Sequence, residues 1–185
     1  MPTYSQPSQL GASAAEFELP GTDGKIYRLS QFQNSKALVI VFMCNHCPYV
    51  KATLDRINKL AQTYSLRGVQ LIGINSNDAA KYPDDSFEEM KKLVQDRKLS
   101  FPYLHDETQE VARAYDAACT PEFYVYGNMD HQFSLQYHGR LDDNWKDEAA
   151  ITQRDLELAL EEILVGKRPR SDQKPAIGCS IKWIQ

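Results

Sequence analysis

The stretch Ala37-Leu38-Val39-Ile40-Val41-Phe42-Met43-Cys44-Asn45-His46-Cys47-Pro48 runs seven apolar residues straight into two cysteines separated by two others. An unbroken apolar run of that length predicts a central strand covered on both faces. From Tyr49 to about Leu66, the residues Val50, Leu54, Ile57, Leu60, Ala61 and Tyr64 recur at helical spacing, which predicts an amphipathic helix ending near Gly68. The cysteines therefore lie at the junction of a buried strand and a long helix.

Cysteines at this spacing serve as zinc ligands or as a redox pair, or they are coincidental. A closed structural zinc site needs four ligands, and the two remaining cysteines, Cys119 and Cys179, are single and distant in sequence. The flanking strand and helix favour the redox reading. A helix N-terminus carries unpaired N–H groups and the positive end of the macrodipole, so it stabilises an anion. The expectation is an exposed Cys44, ionised near neutrality and acting as nucleophile, with a more buried Cys47 resolving the mixed disulfide. His46, if partly protonated beside the thiolate, would stabilise the reduced form further. Pro48 suits the first helical turn, where its missing N–H costs nothing.

Outward from this centre, residues 1–15 are polar or small and are punctuated by Pro2, Pro7 and Gly11, which suggests a loosely held arm. Phe17 and Leu19 before Pro20-Gly21-Thr22-Asp23-Gly24, with Ile26, Tyr27 and Leu29 after it, predict a β-hairpin. Val69 to Ile74 is a second strand. The polar loop Asn75 to Asp85 leads into a helix from about Ser86 to Arg97. Phe101 to Leu104 is extended, and Glu107 to Tyr115 is a short helix. Glu122 to Tyr126 and Phe133 to Tyr137 are strands joined by the turn Gly127-Asn128-Met129-Asp130. A last helix covers about Thr152 to Val165. The tail 167–185 starts with Lys167-Arg168-Pro169-Arg170 but ends in the apolar run Ile177 to Trp183, so its end should pack on the domain at 16–166. The order predicts an α/β three-layer sandwich around one mixed sheet.

At 185 residues the chain has the size of one domain, and its 42% hydrophobic and 25% charged residues are those of an ordinary folded protein. A net charge of −4 offers no broad positive field, so neither nucleic acid nor an anionic membrane is an expected partner. No apolar stretch is long enough to span a bilayer, and the N-terminus lacks a secretory pattern, so a cytoplasmic location is expected. There, four cysteines should rest mainly as thiols.

With strand, Cys44-Asn45-His46-Cys47, helix and a later Thr120-Pro121 before a strand, the chain resembles the thioredoxin superfamily. It is most similar to the redoxin branch related to alkyl-hydroperoxide reductase and thiol-specific antioxidant proteins. The hairpin Phe17-Glu18-Leu19-Pro20 with Asp23-Gly24-Lys25 resembles that branch's N-terminal addition. Gly139-Arg140-Leu141-Asp142-Asp143 and Gly178-Cys179-Ser180-Ile181-Lys182-Trp183 resemble stretches of its bacterial thioredoxin-like members. The resemblance implies a cis-proline at Pro121, preceded by Thr120, facing the cysteines and binding a substrate chain through adjacent backbone. It also exposes departures. Leu38 stands where thioredoxins keep a buried aspartate, Met43 replaces the usual tryptophan, and Val41 stands where peroxiredoxins place a threonine for peroxide.

The implied activity is thiol–disulfide exchange on a protein or small-molecule disulfide, with thioredoxin or glutathione as reductant and no cofactor or metal. A redox-regulated peptide-binding module, a peroxidase-like redoxin and a metal-binding redoxin remain alternatives. Cys119, next to Thr120-Pro121, and Cys179, in the tail, are candidate accessory thiols that could pair with each other. His105, His131 and His138 are dispersed and carry no expected metal role.

Overall fold

The computed structural model describes residues 1–184. Its chain-order elements are β1 (Thr3–Tyr4), β2 (Glu18–Pro20), β3 (Ile26–Arg28), β4 (Ala37–Phe42), α1 (Pro48–Ser65), β5 (Val69–Asn75), α2 (Phe87–Arg97), β6 (Tyr103–His105), α3 (Glu110–Ala114), β7 (Cys119–Thr120), β8 (Glu122–Met129), β9 (Gln132–Gly139), α4 (Asp155–Leu164) and β10 (Ile177–Ser180). The main sheet has the order β6-β5-β4-β8-β9. Strand β4 pairs in parallel with β5, and β5 with β6, while β8 runs antiparallel to both β4 and β9. A parallel half therefore meets an antiparallel half at β4, the thioredoxin-like arrangement the element order predicts.

All six residues of β4 are buried because both faces of the strand are covered. Successive side chains in a strand point to opposite faces. Val39 and Val41 accordingly join the core under α1, α2 and α4, with Leu54, Ile57, Met90 and Leu156. Leu38, Ile40 and Phe42 join the opposite core with Phe17, Phe32, Val111 and Tyr124, beneath the β2–β3 hairpin and α3. The helix stripe named from periodicity is the stripe α1 buries: Val50, Leu54, Ile57, Leu60, Ala61 and Tyr64. Burying each large aliphatic side chain contributes roughly 1.5–3 kcal/mol, so this stripe holds the helix, and with it the cysteine junction, against the sheet. Helix α2 starts on the side chain of Ser86, which accepts from Glu89 N, and ends at Lys98 in the left-handed region.

Three expectations are corrected. The arm 1–15 is not loose. β1 pairs with β10, Ser5 N donates to Ala176 O at 3.0 Å and Gly11 N to Leu135 O at 2.7 Å. Composition describes the arm's own polarity but not the strand edges of β9 and β10 waiting to pair with it. The β8–β9 turn is not Gly127 to Asp130. Both strands continue to a two-residue turn, Asp130-His131, with φ of 51° and 64°, the doubly left-handed geometry that matches strand twist in a hairpin. The last helix is also shorter than expected, starting at Asp155.

The apolar tail packs as expected, through β10. This strand lies between β1 and β7 in a second, three-stranded sheet, with Cys179 opposite Thr120 and Ser180 opposite Cys119. Asp78 N donates to Lys182 O at 2.8 Å, and Lys182 N donates to Asn77 Oδ1 at 2.8 Å. Arg113 lies 4.6 Å over the Trp183 ring. Gly178 permits the approach, since a Cβ there would stand 2.0 Å from the Thr120 carbonyl oxygen. Gly178→Ala is therefore expected to cost about 1–3 kcal/mol from overpacking against backbone and to make the tail protease-sensitive. Thermal melts and limited proteolysis check this, and an unchanged melting temperature would contradict it.

Candidate active site

Strand β4 ends at Phe42, and Met43, Cys44, Asn45 and His46 form the turn into α1, whose N-cap is Cys47. The side chains of Cys44 and Cys47 face the Thr120-Pro121 bond, which is cis. Cys47 Sγ donates to the Thr120 carbonyl oxygen at 3.1 Å, and Cys44 Sγ lies 3.5 Å from Thr120 Oγ1. The structure thus brings together Cys44, His46, Cys47, Thr120 and Pro121, residues separated by more than seventy positions. All four cysteines are free thiols.

The expected exposure of Cys44 is corrected. Cys44 and Cys47 are both 0% exposed, and the residue at the tip of α1 is Cys47. The expected ionisation is corrected with it. Hydrogen bonding with Cys47, burial and the nearby Asp85 carboxylate all raise the Cys44 thiol far above the ordinary range. Cys47 moves the other way. Hydrogen bonding from Cys44 lowers it most, and the Thr120 hydroxyl, the Val50 amide in the first turn of α1 and Cys179 add to this against the cost of burial. Charge removed from this pair rests on Cys47, at the helix end, and not on Cys44, beside a carboxylate.

Asp85 is the functional residue that sequence reading missed. It is 0% exposed and closes a 3-10 turn, Pro83–Asp85, inside the segment read as a polar loop. Its carboxylate accepts from Asn45 N at 2.7 Å, His46 N at 3.2 Å and Asn77 Nδ2 at 2.8 Å, and its Oδ2 lies 2.5 Å from His46 Nδ1. His46 Nδ1 is also 4.0 Å from Cys44 Sγ. The imidazole is thus held between a buried carboxylate and the first sulfur, and it stacks on Tyr82 with ring centroids 5.4 Å apart. No local signal in the sequence marks it: only the fold shows that Asn75, Ser76, Asn77 and Asp78 are all buried, and such polar groups need internal partners.

The carboxylate absent at Leu38 has no substitute on β4, since Leu38 lies in the core on the other face of the sheet. A second buried carboxylate, also missed, follows the cis-proline. Glu122 accepts from Ala118 N at 2.8 Å, Cys119 N at 2.9 Å and Tyr124 Oη at 2.8 Å, and its Oε1 lies 2.7 Å from His138 Nε2. It ties the turn before Pro121 to β8 and β9. An acid at the head of an otherwise apolar strand was its signal.

Cys119 and Cys179 behave differently. Cys119 is 0% exposed, and burial with the adjacent Glu122 carboxylate raises its thiol strongly. Cys179 is partly exposed and packs against the core that contains Cys44 and Cys47. Burial, then its hydrogen bonding with Cys47, pushes its thiol up to about 11.

Cys44, His46 and Asp85 each offer a donor atom, all within 4.8 Å of one another, and this group could hold a metal ion. His105 stacks on Phe87 and His138 on Tyr124, away from that group. A small cavity of about 50 Å³ beside Pro121 is lined by Thr53, Leu141, Trp145 and Ile177. Trp145 lies against Tyr49, and its carbonyl is held by the buried Arg56, which also pairs with Asp142 at 2.9 Å. A larger cavity of about 360 Å³ opens between α4 and residues 169–174, remote from the sulfurs in sequence and lining. No helix among the described residues is long and apolar enough to cross a membrane.

Because the Asp85 charge is one cause of the raised Cys44 thiol, Asp85→Asn should lower it and strengthen thiolate absorbance at a given alkaline pH. A thiolate titration followed in the ultraviolet checks this. A midpoint that stays or rises would contradict the electrostatic role of Asp85.

The chain is 44% identical, over its whole length and 97% of the partner chain, to an uncharacterized conserved protein of Geobacillus kaustophilus, with a TM-score of 0.92. It is 39% identical to a hypothetical protein of Sinorhizobium meliloti 1021, covering 98% of each chain, also with a TM-score of 0.92. Over 108 residues, 58% of the chain, it is 26% identical to the thiol-disulfide oxidoreductase ResA of Halalkalibacterium halodurans, and it spans 57% of that curated relative. The model of the AhpC/TSA family matches residues 10–136. The chain therefore belongs to the AhpC/TSA family, the redoxin branch of the thioredoxin superfamily.

Proposed function

We propose that the protein is a thiol–disulfide oxidoreductase that works through the Cys44–Cys47 pair. The observation that carries this reading is the convergence of both sulfurs on Thr120 beside the cis-proline, with Cys47 Sγ 3.1 Å from its carbonyl oxygen and Cys44 Sγ 3.5 Å from its hydroxyl. The similarity to a relative named as a thiol-disulfide oxidoreductase supports it.

Of the two thiols, Cys47 is lowered and Cys44 raised, so the first charge to form falls on Cys47. Transfer of the Cys44 proton to Cys47 makes the Cys44 thiolate, which attacks a disulfide RS–SR′ and expels R′S⁻. Cys47 then gives up its proton to that leaving thiolate and attacks Cys44 in the mixed disulfide. Cys44–Cys47 forms, RS⁻ leaves, and the pair has lost the two electrons the substrate gained. His46, between Asp85 and Cys44, is the group positioned to hand protons to and from the first sulfur. The substrate class is a protein or small-molecule disulfide, and a thiol reductant such as thioredoxin or glutathione restores the dithiol.

A peroxidase reading has less support. Val41 is 0% exposed within β4 and presents no hydroxyl toward the sulfurs. A metal-binding reading is favoured by the gathering of Cys44, His46 and Asp85 within 4.8 Å. Against it, the Asp85 carboxylate already has four hydrogen-bond partners from the protein. Metal analysis of the reduced protein separates these readings. One equivalent of tightly held zinc, lost in His46→Ala, would replace the oxidoreductase reading with the metal one.

Insulin-disulfide reduction with a dithiol as electron source tests the activity. The wild-type protein should turn over, and Cys44→Ser and Cys47→Ser should each lose more than about 100-fold. Equal rates in all three proteins would contradict the proposal.

A further inference from the structure

A buried active pair raises a question of access. Both sulfurs are 0% exposed, yet exchange requires a partner's sulfur to reach one of them. The fold sets a third sulfur beside them that is not sealed off. Strand β10 pairs antiparallel with β7 so that Cys179 stands opposite Thr120. Residues directly opposite in such a pair point to the same face of the sheet, and their neighbours point to the other. Thr120 turns its hydroxyl to Cys44 Sγ, so Cys179 shares the face of the active pair. Cys119, one residue away, lies on the opposite register with Ser180. The packing agrees with this register: Cys179 lies against the core that holds Cys44 and Cys47, and Cys47 interacts with both of the other sulfurs. Of the three, Cys179 is the one that is partly exposed.

We propose that Cys179 is a third exchange thiol, which takes over the disulfide from the buried pair and presents it at the surface. The inference rests on the oxidoreductase reading above and deepens it. In the oxidised protein the Cys179 thiolate attacks Cys47 Sγ. The Cys44–Cys47 bond breaks, a Cys47–Cys179 bond forms, Cys44 leaves as thiolate, and it takes up the proton Cys179 gave up. No electrons enter or leave in this step. A dithiol partner then attacks the partly exposed Cys179 Sγ, expelling Cys47 as thiolate. The partner's second thiol attacks the mixed disulfide, releasing Cys179 and an oxidised partner. Two electrons have passed from the partner to the protein.

The geometry confines the tail for this purpose. Gly178 lets β10 approach the Thr120 carbonyl, and the bonds of Asn77 and Asp78 to Lys182 fix the strand just beyond Cys179. Because burial and Cys47 push the Cys179 thiol up to about 11, its attack on Cys47 should quicken as pH rises toward 11, while Cys44–Cys47 stays the main disulfide.

The test is disulfide mapping of the full chain, oxidised with one equivalent of diamide, acid-quenched, alkylated and digested without reductant. The wild-type protein should yield Cys44–Cys47 and a smaller amount of Cys47–Cys179. Cys44→Ser should yield Cys47–Cys179 as its principal disulfide, with Cys119 free. Cys179→Ser should still form Cys44–Cys47, but its reduction by a protein dithiol should slow at least about ten-fold, as expected for lost access. Cys47 and Cys179 left unlinked in Cys44→Ser, linkage to Cys119 instead, or unchanged reduction of Cys179→Ser would each overturn the relay. Failure of the wild-type protein to form Cys44–Cys47 would overturn the parent reading, so the two failures are distinct. The wild-type map depends on no variant folding.

Discussion

The meeting of the β4–α1 junction with the cis Thr120-Pro121 bond is the constraint on which the rest of the structure depends. Strand β4 is locked between β5 and β8, and α1 is held by its apolar stripe, so the cysteine turn between them has little freedom. On the other side, Glu122 fixes the backbone of Ala118 and Cys119, so Thr120 is held as firmly as the sulfurs it faces. A dithiol that must open and close its bond reversibly gains from such a frame.

Electrostatics in this frame divide the pair in a way that proximity to a helix alone does not. The helix end favours negative charge on Cys47, while Asp85 opposes it on Cys44. Asp85 in turn is justified by its partners, four hydrogen bonds from three residues, which offset the cost of burying a carboxylate. His46 links the two systems. On the proposed reading, the first sulfur would attack only after its proton had moved to a neighbour.

Much of this was legible in the residues. The unbroken run Ala37 to Met43 announces a strand covered on both faces, and the spacing of Val50, Leu54, Ile57 and Leu60 announces the helix that follows it, because both patterns report local burial directly. The cysteine pair, Thr120 and Pro121 could be named because their residue types and order are distinctive. What could not be read depends on contacts distant in sequence. Nothing local to Asp85 says that His46 and Asn77 will close around it, and nothing in residues 1–15 reveals that strand edges of β9 and β10 receive them. The tail's apolar run Ile177 to Trp183 signalled packing, but only the register of β10 against β7 separates Cys179, on the face of the active pair, from Cys119, on the other. Exposure failed for a similar reason. A helix N-terminus is usually open, whereas this one is covered by the Thr120 turn and β10.

The reduction potential of the Cys44–Cys47 couple, measured by equilibration in glutathione buffers with both cysteines followed by nonreducing mapping, tests the central claim most directly. The account predicts a reversible two-electron couple lying between about −270 mV and about −120 mV, the range from thioredoxin to the strong oxidant DsbA. Two cysteines that never join across that range, or that join irreversibly, would contradict it.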